Sequence, residues 1–487
     1  VVETEVPRSG LAAARPGILV AGLSVVVLTV AVLQTAVVPV LGIIAGQLHA
    51  SIVATSWAVT ANLLAAAAAT PLIGRLADLH SKKRVLLIVL VVVLAGSVLA
   101  ATTSSLALLV VSRVLQAASF ALYPISVAIL REELSPDRLM GAMAVLSGTL
   151  GFGGGTGLVV VGLLMSGHAG YHRVFWLTTG FTLLVLVIVA VIVPARPRTA
   201  TGAIDWLGAA GLAAGLSAVL LAITQGHAWG WTSVPTLASA VCGFVILAGW
   251  WFWERRADLP LVSTHMLTRR PIMLTNVATV FVGMGLYFAF LGLTQFVQMP
   301  YAAAGYGFSA TVLQASVVYL LPGAITGFLV ALVSGRFIDR FGARPVLVIA
   351  AVAGIAGFVF IAVAHRAPWQ VIAASVLANA YISLGYGALP ALVVSEVEPT
   401  ETGVATSMNA IARTVGSSTA AALVAVLLGR TTAAGVPMES SFVAIFVGGA
   451  ATAALAMALI ALSRPSRSAM ESVDARYESR AMNHEWG

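Results

Sequence analysis

Apolar residues run through this chain in long blocks, separated by short breaks rich in charge or in Gly, Pro and Ser. A block of roughly 18 or more apolar residues is long enough for a helix to cross a hydrocarbon layer about 30 Å thick. Fourteen such spans are predicted, at 17–45, 52–74, 84–101, 106–130, 139–165, 173–194, 205–225, 233–253, 271–299, 310–334, 345–364, 369–392, 401–428 and 440–463. The connections are too short to hide a soluble domain.

The blocks also repeat. Gly74-Arg75-Leu76-Ala77-Asp78, followed by Lys82, Lys83 and Arg84, closes the second block, and Gly335-Arg336-Phe337-Ile338-Asp339, followed by Arg340 and Arg344, closes the tenth. Each reads as a tight turn between adjacent helices, with Gly for close approach and Asp for a helix N-terminus. Leu134-Ser135-Pro136-Asp137-Arg138 ahead of Gly141 is echoed by Val397-Glu398-Pro399-Thr400-Glu401 ahead of Gly403. The offsets, 74 to 335 and 141 to 403, agree to within one residue, which predicts two halves in the same orientation with spans seven and eight between them. The predicted parts are a tail at 1–16, a six-helix bundle at 17–195, two additional helices at 196–265, a second six-helix bundle at 266–463 and a tail at 464–487.

Composition fixes the class. With 60% hydrophobic residues, 9% charged residues and a mean hydropathy of +1.00, the chain cannot be a soluble domain, where roughly 25% is charged. The net charge of +8 reflects the bias of cations toward cytoplasmic loops rather than nucleic-acid binding. Of the 26 cations, only Arg173, Arg366 and Arg430 fall in the opposite loops, while Arg113 and Arg413 lie within spans. Both termini are therefore expected in the cytoplasm. Arginine-rich, lysine-poor usage points to a bacterial cell membrane. Cys242, the single cysteine, leaves no internal disulfide and no thiolate metal site. No phosphate-binding glycine loop and no converging nucleophile and base are present, so neither cofactor, metal nor enzyme activity is expected.

Taken together, these residues resemble the major facilitator superfamily, and within it the fourteen-span drug-efflux group of drug:proton antiporters. Trp57-Ala58-Val59-Thr60-Ala61, Gly74 to Arg84, Arg113-Val114-Leu115-Gln116, Gly335 to Arg344 and Asn409-Ala410-Ile411-Ala412-Arg413-Thr414-Val415-Gly416 are similar to successive signatures of that group. The resemblance implies an all-α integral membrane protein of the major facilitator fold, with two extra central helices and a cavity between halves that opens alternately to each side. It also implies that Asp78, with Asp339 as its counterpart, latches neighbouring helices in one state. Two departures stand out. Gln34 occupies the place of the group's first-span Asp and cannot exchange a proton. Gly151-Phe152-Gly153-Gly154-Gly155-Thr156-Gly157 keeps the glycines of the antiporter signature without its proline.

Gly74, Asp78, Lys82, Lys83, Arg84, Gly335, Asp339 and Arg344 form the expected gating set. Arg113, Arg413 and Gln34 are coupling candidates within the membrane; for each arginine the alternative is a structural cation held by neighbouring carbonyls. By analogy with the family, the cavity is expected to use Gln34, Thr35, Gln116, Tyr123, Asn276, Tyr287, Gln295, Asn379, Tyr381 and Tyr386. No Asp or Glu falls near a span centre, which ranks neutral or lipid-like substrates above strongly cationic ones. The expected function is export of hydrophobic or amphipathic small molecules by a monomer in contact with membrane lipids, with protons as candidate coupling ion. Alternatives are a proton-independent exporter of lipids or lipophilic metabolites, or a scaffold or sensor that transports nothing.

Overall fold

The computed structural model describes residues 16–463 apart from 38–39, 51, 166–169, 197–203, 258–259, 263, 399–400, 431 and 433–435. Both expected tails lie outside the described residues except for Pro16. Thirteen described helices are long and apolar enough to cross a membrane, and the remaining expected span, 139–165, is a further 29-residue helix. In chain order they are α1 Pro16–Thr35, α2 Ile52–Leu79, α3 Lys82–Thr102, α4 Leu106–Glu133, α5 Pro136–Leu164, α6 His172–Ile192, α7 Trp206–Trp229 and α8 Val234–Glu254. After these come α9 Arg270–Gln298, α10 Leu321–Phe341, α11 Ala343–Val363, α12 Pro368–Ser395, α13 Thr402–Leu428 and α14 Glu439–Leu462.

Local chemistry explains where helices start and bend. Asp205 caps α7 by accepting from the Gly208 amide at 2.8 Å, and Ser233 caps α8 through the Thr236 amide. A 3-10 segment, Ala117–Ala121, interrupts α4 just ahead of Pro124, whose ring has no N–H to give and crowds the preceding turn. A π-helical turn, Ala315–Leu320, precedes α10 at Pro322 in the same way. The first span is shorter than expected: α1 ends at Thr35, and Leu41–Gln47 forms a separate short helix. The break falls just before Pro39, a residue type that disfavours helix in the position ahead of it.

The two halves pack alike. In the first, α1 packs on α5 and α6, α3 on α4 and α6, and α2 on α4; in the second, α9 packs on α13 and α14, α11 on α12 and α14, and α10 on α12. The halves meet through α2 with α13 and through α5 with α10, again an equivalent pair. The helices α7 and α8, central in sequence, are peripheral in space. Only α7 docks, against α2 and α13, while α8 packs on α7. Trp250 of α8 is buried against Gly211 of α7. Large apolar side chains such as Ile88, Val187, Phe244 and Ile349 face outward, as suits a chain embedded in a membrane.

Candidate functional site

The two repeated sequence segments do not form turns; they carry the seam between the halves. Gly74 to Leu79 belongs to α2, leaving only His80 and Ser81 as the connection to α3. Gly335 to Phe341 belongs to α10, and Gly342, at φ 84°, alone joins α10 to α11; this backbone conformation favours glycine. A Cβ on Gly74 would strike Ser407 Oγ and lie 3.0 Å from the Gly403 carbonyl of α13, and one on Gly335 would strike the Gly141 Cα of α5. The glycines thus serve contacts between halves rather than within a hairpin. Each glycine of the first echo meets its partner from the second echo in the opposite half.

Charge reinforces this seam at one end of the bundle, here termed the motif face. Asp78 is fully buried, and its two carboxylate oxygens accept from the Gly403 and Val404 amides at 3.2 Å each. These amides open α13, where unpaired N–H groups and the helix dipole favour an anion. From the end of α4, Arg131 donates to the Val397 carbonyl at 2.7 Å, to the Glu398 carbonyl at 3.3 Å and to Thr402 Oγ1. Lys82 pairs with Glu132 at 2.5 Å. Arg196 pairs with Glu133 at 2.6 Å, a hydrogen bond and charge that hold its guanidinium pKa above the usual value. Lys83 donates to the Ala190 carbonyl at 2.8 Å, Arg344 donates to Ser463 Oγ at 3.4 Å, and Arg84 is exposed. Asp339 lies on α10, and its side chain falls outside the described ones.

Above this seal, between the halves, lies a cavity with about 1060 Å³ of non-protein space including its mouth. Its α1 wall comes from Ala31, Gln34 and Thr35, the last turns before that helix ends away from the motif face. Of the expected cavity residues, Gln34, Thr35, Tyr287, Asn379 and Tyr386 line it, together with Arg413. The others lie elsewhere. Gln116 is buried, holding Arg113 and donating to Ser97 Oγ at 2.9 Å. Tyr123 is bonded to Ser147 at 2.8 Å, with its ring beneath Arg413. Asn276 accepts from Asn409 at 2.9 Å, Tyr381 packs on Gly354 and Gly285, and Gln295 is exposed outside the cavity. Polar residues occur along whole helices, and helix rotation decides which of them face inward.

The remaining walls are apolar or small: Leu63, Phe120, Leu286, Phe290, Leu293 and Ile382 among them, with Thr414 and Ser417 beside Arg413. Helical spacing is the signal that would have found several of these, since Phe290 is three residues beyond Tyr287 and Ile382 three beyond Asn379. No Asp or Glu lines the cavity among the described residues. The glycine run of α5 permits the close α1 contact that shapes one side. A Cβ on Gly153 would lie 2.7 Å from Ala31 Cβ, and one on Gly157 would lie 2.7 Å from Thr35 Oγ1.

The two arginines within spans have different surroundings. Arg113 is sealed, with Nε donating to the Ala58 carbonyl at 3.1 Å, and one terminal nitrogen reaching both the Leu33 carbonyl at 3.3 Å and Gln116 Oε1 at 2.5 Å. Asn62 donates to the Arg113 carbonyl at 2.7 Å. Arg413 instead stands in the cavity wall with its guanidinium 5.3 Å from the Tyr123 ring centre and 4.9 Å from that of Tyr386. Its backbone is fixed by close α9 contact: a Cβ on Gly283 would lie 2.5 Å from the Arg413 carbonyl, and Gly416 abuts Val280.

Two pseudo-equivalent bundles around a central cavity are a transporter architecture, and comparison with known proteins agrees. The Major Facilitator Superfamily model matches residues 23–206 and 200–421. The chain belongs to that superfamily. It is a multi-pass membrane transporter, of a family whose members bind small-molecule substrates. It is similar to the tetracenomycin C resistance and export protein of Streptomyces glaucescens, at 28% identity over 87% of this chain and 77% of that protein. Similarity extends to a multidrug resistance protein B homolog of Mycobacterium tuberculosis, at 25% identity over 77% and 69% of the two chains. It also extends to a uridine/deoxyuridine transporter of Lactococcus lactis, at 28% over 66% and 67%. Among solved structures, the human organic anion transporter MFSD10 shares the fold with a TM-score of 0.63 at 16% identity, covering 92% of this chain and 99% of that one.

Proposed function

We propose that the chain exports hydrophobic or amphipathic small molecules across a bacterial cell membrane by alternating access. The observation that carries this reading is the cavity between the halves, mostly apolar in its walls and closed beneath by the Asp78 and Arg131 contacts. Relatives named for tetracenomycin C export and for multidrug resistance support the outward direction. In this reading the motif face and both termini lie in the cytoplasm, which the cation distribution supports. On that orientation the cavity opens outward, and reaching the inward-facing state requires Asp78 to leave the α13 amides. The protein works as a monomer in the lipid bilayer, without a cofactor and without catalysis.

The second reading is transport that takes no proton. Gln34 lines the cavity where the resembling group carries an Asp, and an amide has no exchangeable charge. The test is flux of hydrophobic fluorescent probes in proteoliposomes, with and without an imposed pH gradient. Saturable flux above that of protein-free vesicles is expected. Flux unmoved by the gradient supports the proton-independent reading, whereas strict dependence on it removes that reading. Absence of flux for every probe would leave a membrane scaffold or sensor.

A further inference from the structure

Arg413 sets a charge in the cavity wall with no opposite charge to meet it. Its guanidinium lies over the rings of Tyr123 and Tyr386, and among the described residues no carboxylate lines the same space. The acids of the motif face are engaged elsewhere, Asp78 with the α13 amides and Glu132 with Lys82. Two aromatic faces stabilise a cation only in part, and a desolvated cation gains most from an anion that accepts its hydrogen bonds. The guanidinium fork suits a carboxylate, sulfonate or phosphate group, which it can bind through two parallel bonds. Gln34, Thr35, Asn379 and Ser417 share the wall as neutral polar neighbours, and the rest is largely apolar or aromatic.

We infer that the substrate is a hydrophobic monoanion, whose single acidic group is held by Arg413 while its body lies against the apolar wall. This rests on the export reading and narrows it to a substrate class. A cation would meet repulsion, and a neutral molecule would leave the guanidinium uncovered. The charge also supplies the driving force. With substrate bound, the cavity is neutral; once it is released, the uncovered positive charge of Arg413 returns with the empty carrier. Each cycle moves one negative charge out, a direction favoured by an inside-negative membrane. A potential of about 100 mV is worth roughly 2.3 kcal/mol per elementary charge, or about 50-fold accumulation. Export of such an anion needs no proton and hence no carboxylate in the membrane centre.

The experiment compares two fluorescent probes with the same skeleton, 8-anilinonaphthalene-1-sulfonate and the uncharged N-phenyl-1-naphthylamine, in proteoliposomes corrected for leak into protein-free vesicles. A valinomycin-set potassium gradient imposes the potential. Sulfonate flux into vesicles with a positive interior is expected to rise with voltage and ignore a pH gradient, while flux of the neutral probe ignores voltage. Arg413→Gln is expected to lower the ratio of sulfonate to neutral flux about tenfold, and Arg413→Lys to restore most of it with a raised KM. Flux of the neutral probe with none of the sulfonate overturns this inference and leaves the export reading standing; flux of neither overturns both. Sulfonate flux that follows the pH gradient and not voltage also overturns it, and that arm needs no variant to fold.

Discussion

Arg113 and Arg413 are the two arginines the sequence places inside the membrane, one in each half, and their surroundings separate two uses of the same side chain. Arg113 spends its donors on the Ala58 and Leu33 carbonyls and on Gln116, tying α4 to α1, α2 and its own next turn. Arg413 donates to none of the described residues and faces open space. The first arrangement is bought with hydrogen bonds that only the folded helices supply. The second leaves its bonding capacity unused among the described residues. A cation in hydrocarbon is costly in either case, so its mere presence does not reveal which use it serves.

The sharpest way to break this contrast is Arg113→Ala. Hydrogen bonds to a buried charged group contribute about 1.5–3 kcal/mol each, and the truncation also leaves a cavity. A loss of about 3 kcal/mol or more is expected, read as a large drop in thermal stability and in the monodisperse fraction after detergent extraction. A variant that folds at wild-type stability yet carries no substrate would move Arg113 from scaffold to mechanism. Gln116→Leu comes next, because it removes the acceptor for Arg113 and the donor to Ser97. About 2 kcal/mol is expected. It should also be strongly non-additive with Arg113→Ala in a double-mutant cycle; additive losses would mean the two residues do not act as one unit.

Asp78 is another buried ionisable group and tests the contrast from another side. Like Arg113 it is fully paired, but its partners are amides of the opposite half, so its loss should shift conformation rather than unfold the chain. Asp78→Asn is expected to weaken the seal by about 1–2 kcal/mol, the scale of a helix cap, which is roughly a 5- to 30-fold change in the ratio of the two states. Spin-label distances between the motif-face ends of α2 and α13 would report it. An unchanged distance distribution would make Asp78 a fixed structural group like Arg113.

Much of this was legible in the chain. Spans of apolar residues place fourteen long helices, since a hydrocarbon solvent tolerates little else, and the paired Gly echoes point to the two halves. What the sequence could not say was with whom each glycine pairs. Gly74 reads as a turn signal and Gly403 as part of a separate echo, and only three-dimensional symmetry brings them face to face. The cavity was half legible for a related reason. Gln34 and Asn379 face inward, whereas Tyr381, two residues beyond Asn379, packs on Gly354, because successive helical positions turn by about 100°. The 3-10 and π segments beside Pro124 and Pro322 shift that phase further, and periodicity alone does not reveal by how much.

The smallest expected effect falls on the second arginine. Arg413→Gln removes two ring contacts, a cation–π contribution of about 0.5–2 kcal/mol, but also relieves the cost of a cation with no partner among the described residues. These nearly offset each other, so the stability of the empty protein should change by about 1 kcal/mol or less, in clear contrast to Arg113→Ala. Thermal unfolding in the same detergent, repeated with saturating 8-anilinonaphthalene-1-sulfonate, separates the two terms. The wild type should gain stability with the sulfonate, because a ligand that binds only the folded state shifts unfolding by mass action, and the variant should gain little. If instead Arg413→Gln destabilised the empty protein as much as Arg113→Ala, the second arginine would hold the fold together as the first does. The contrast between the halves would then collapse.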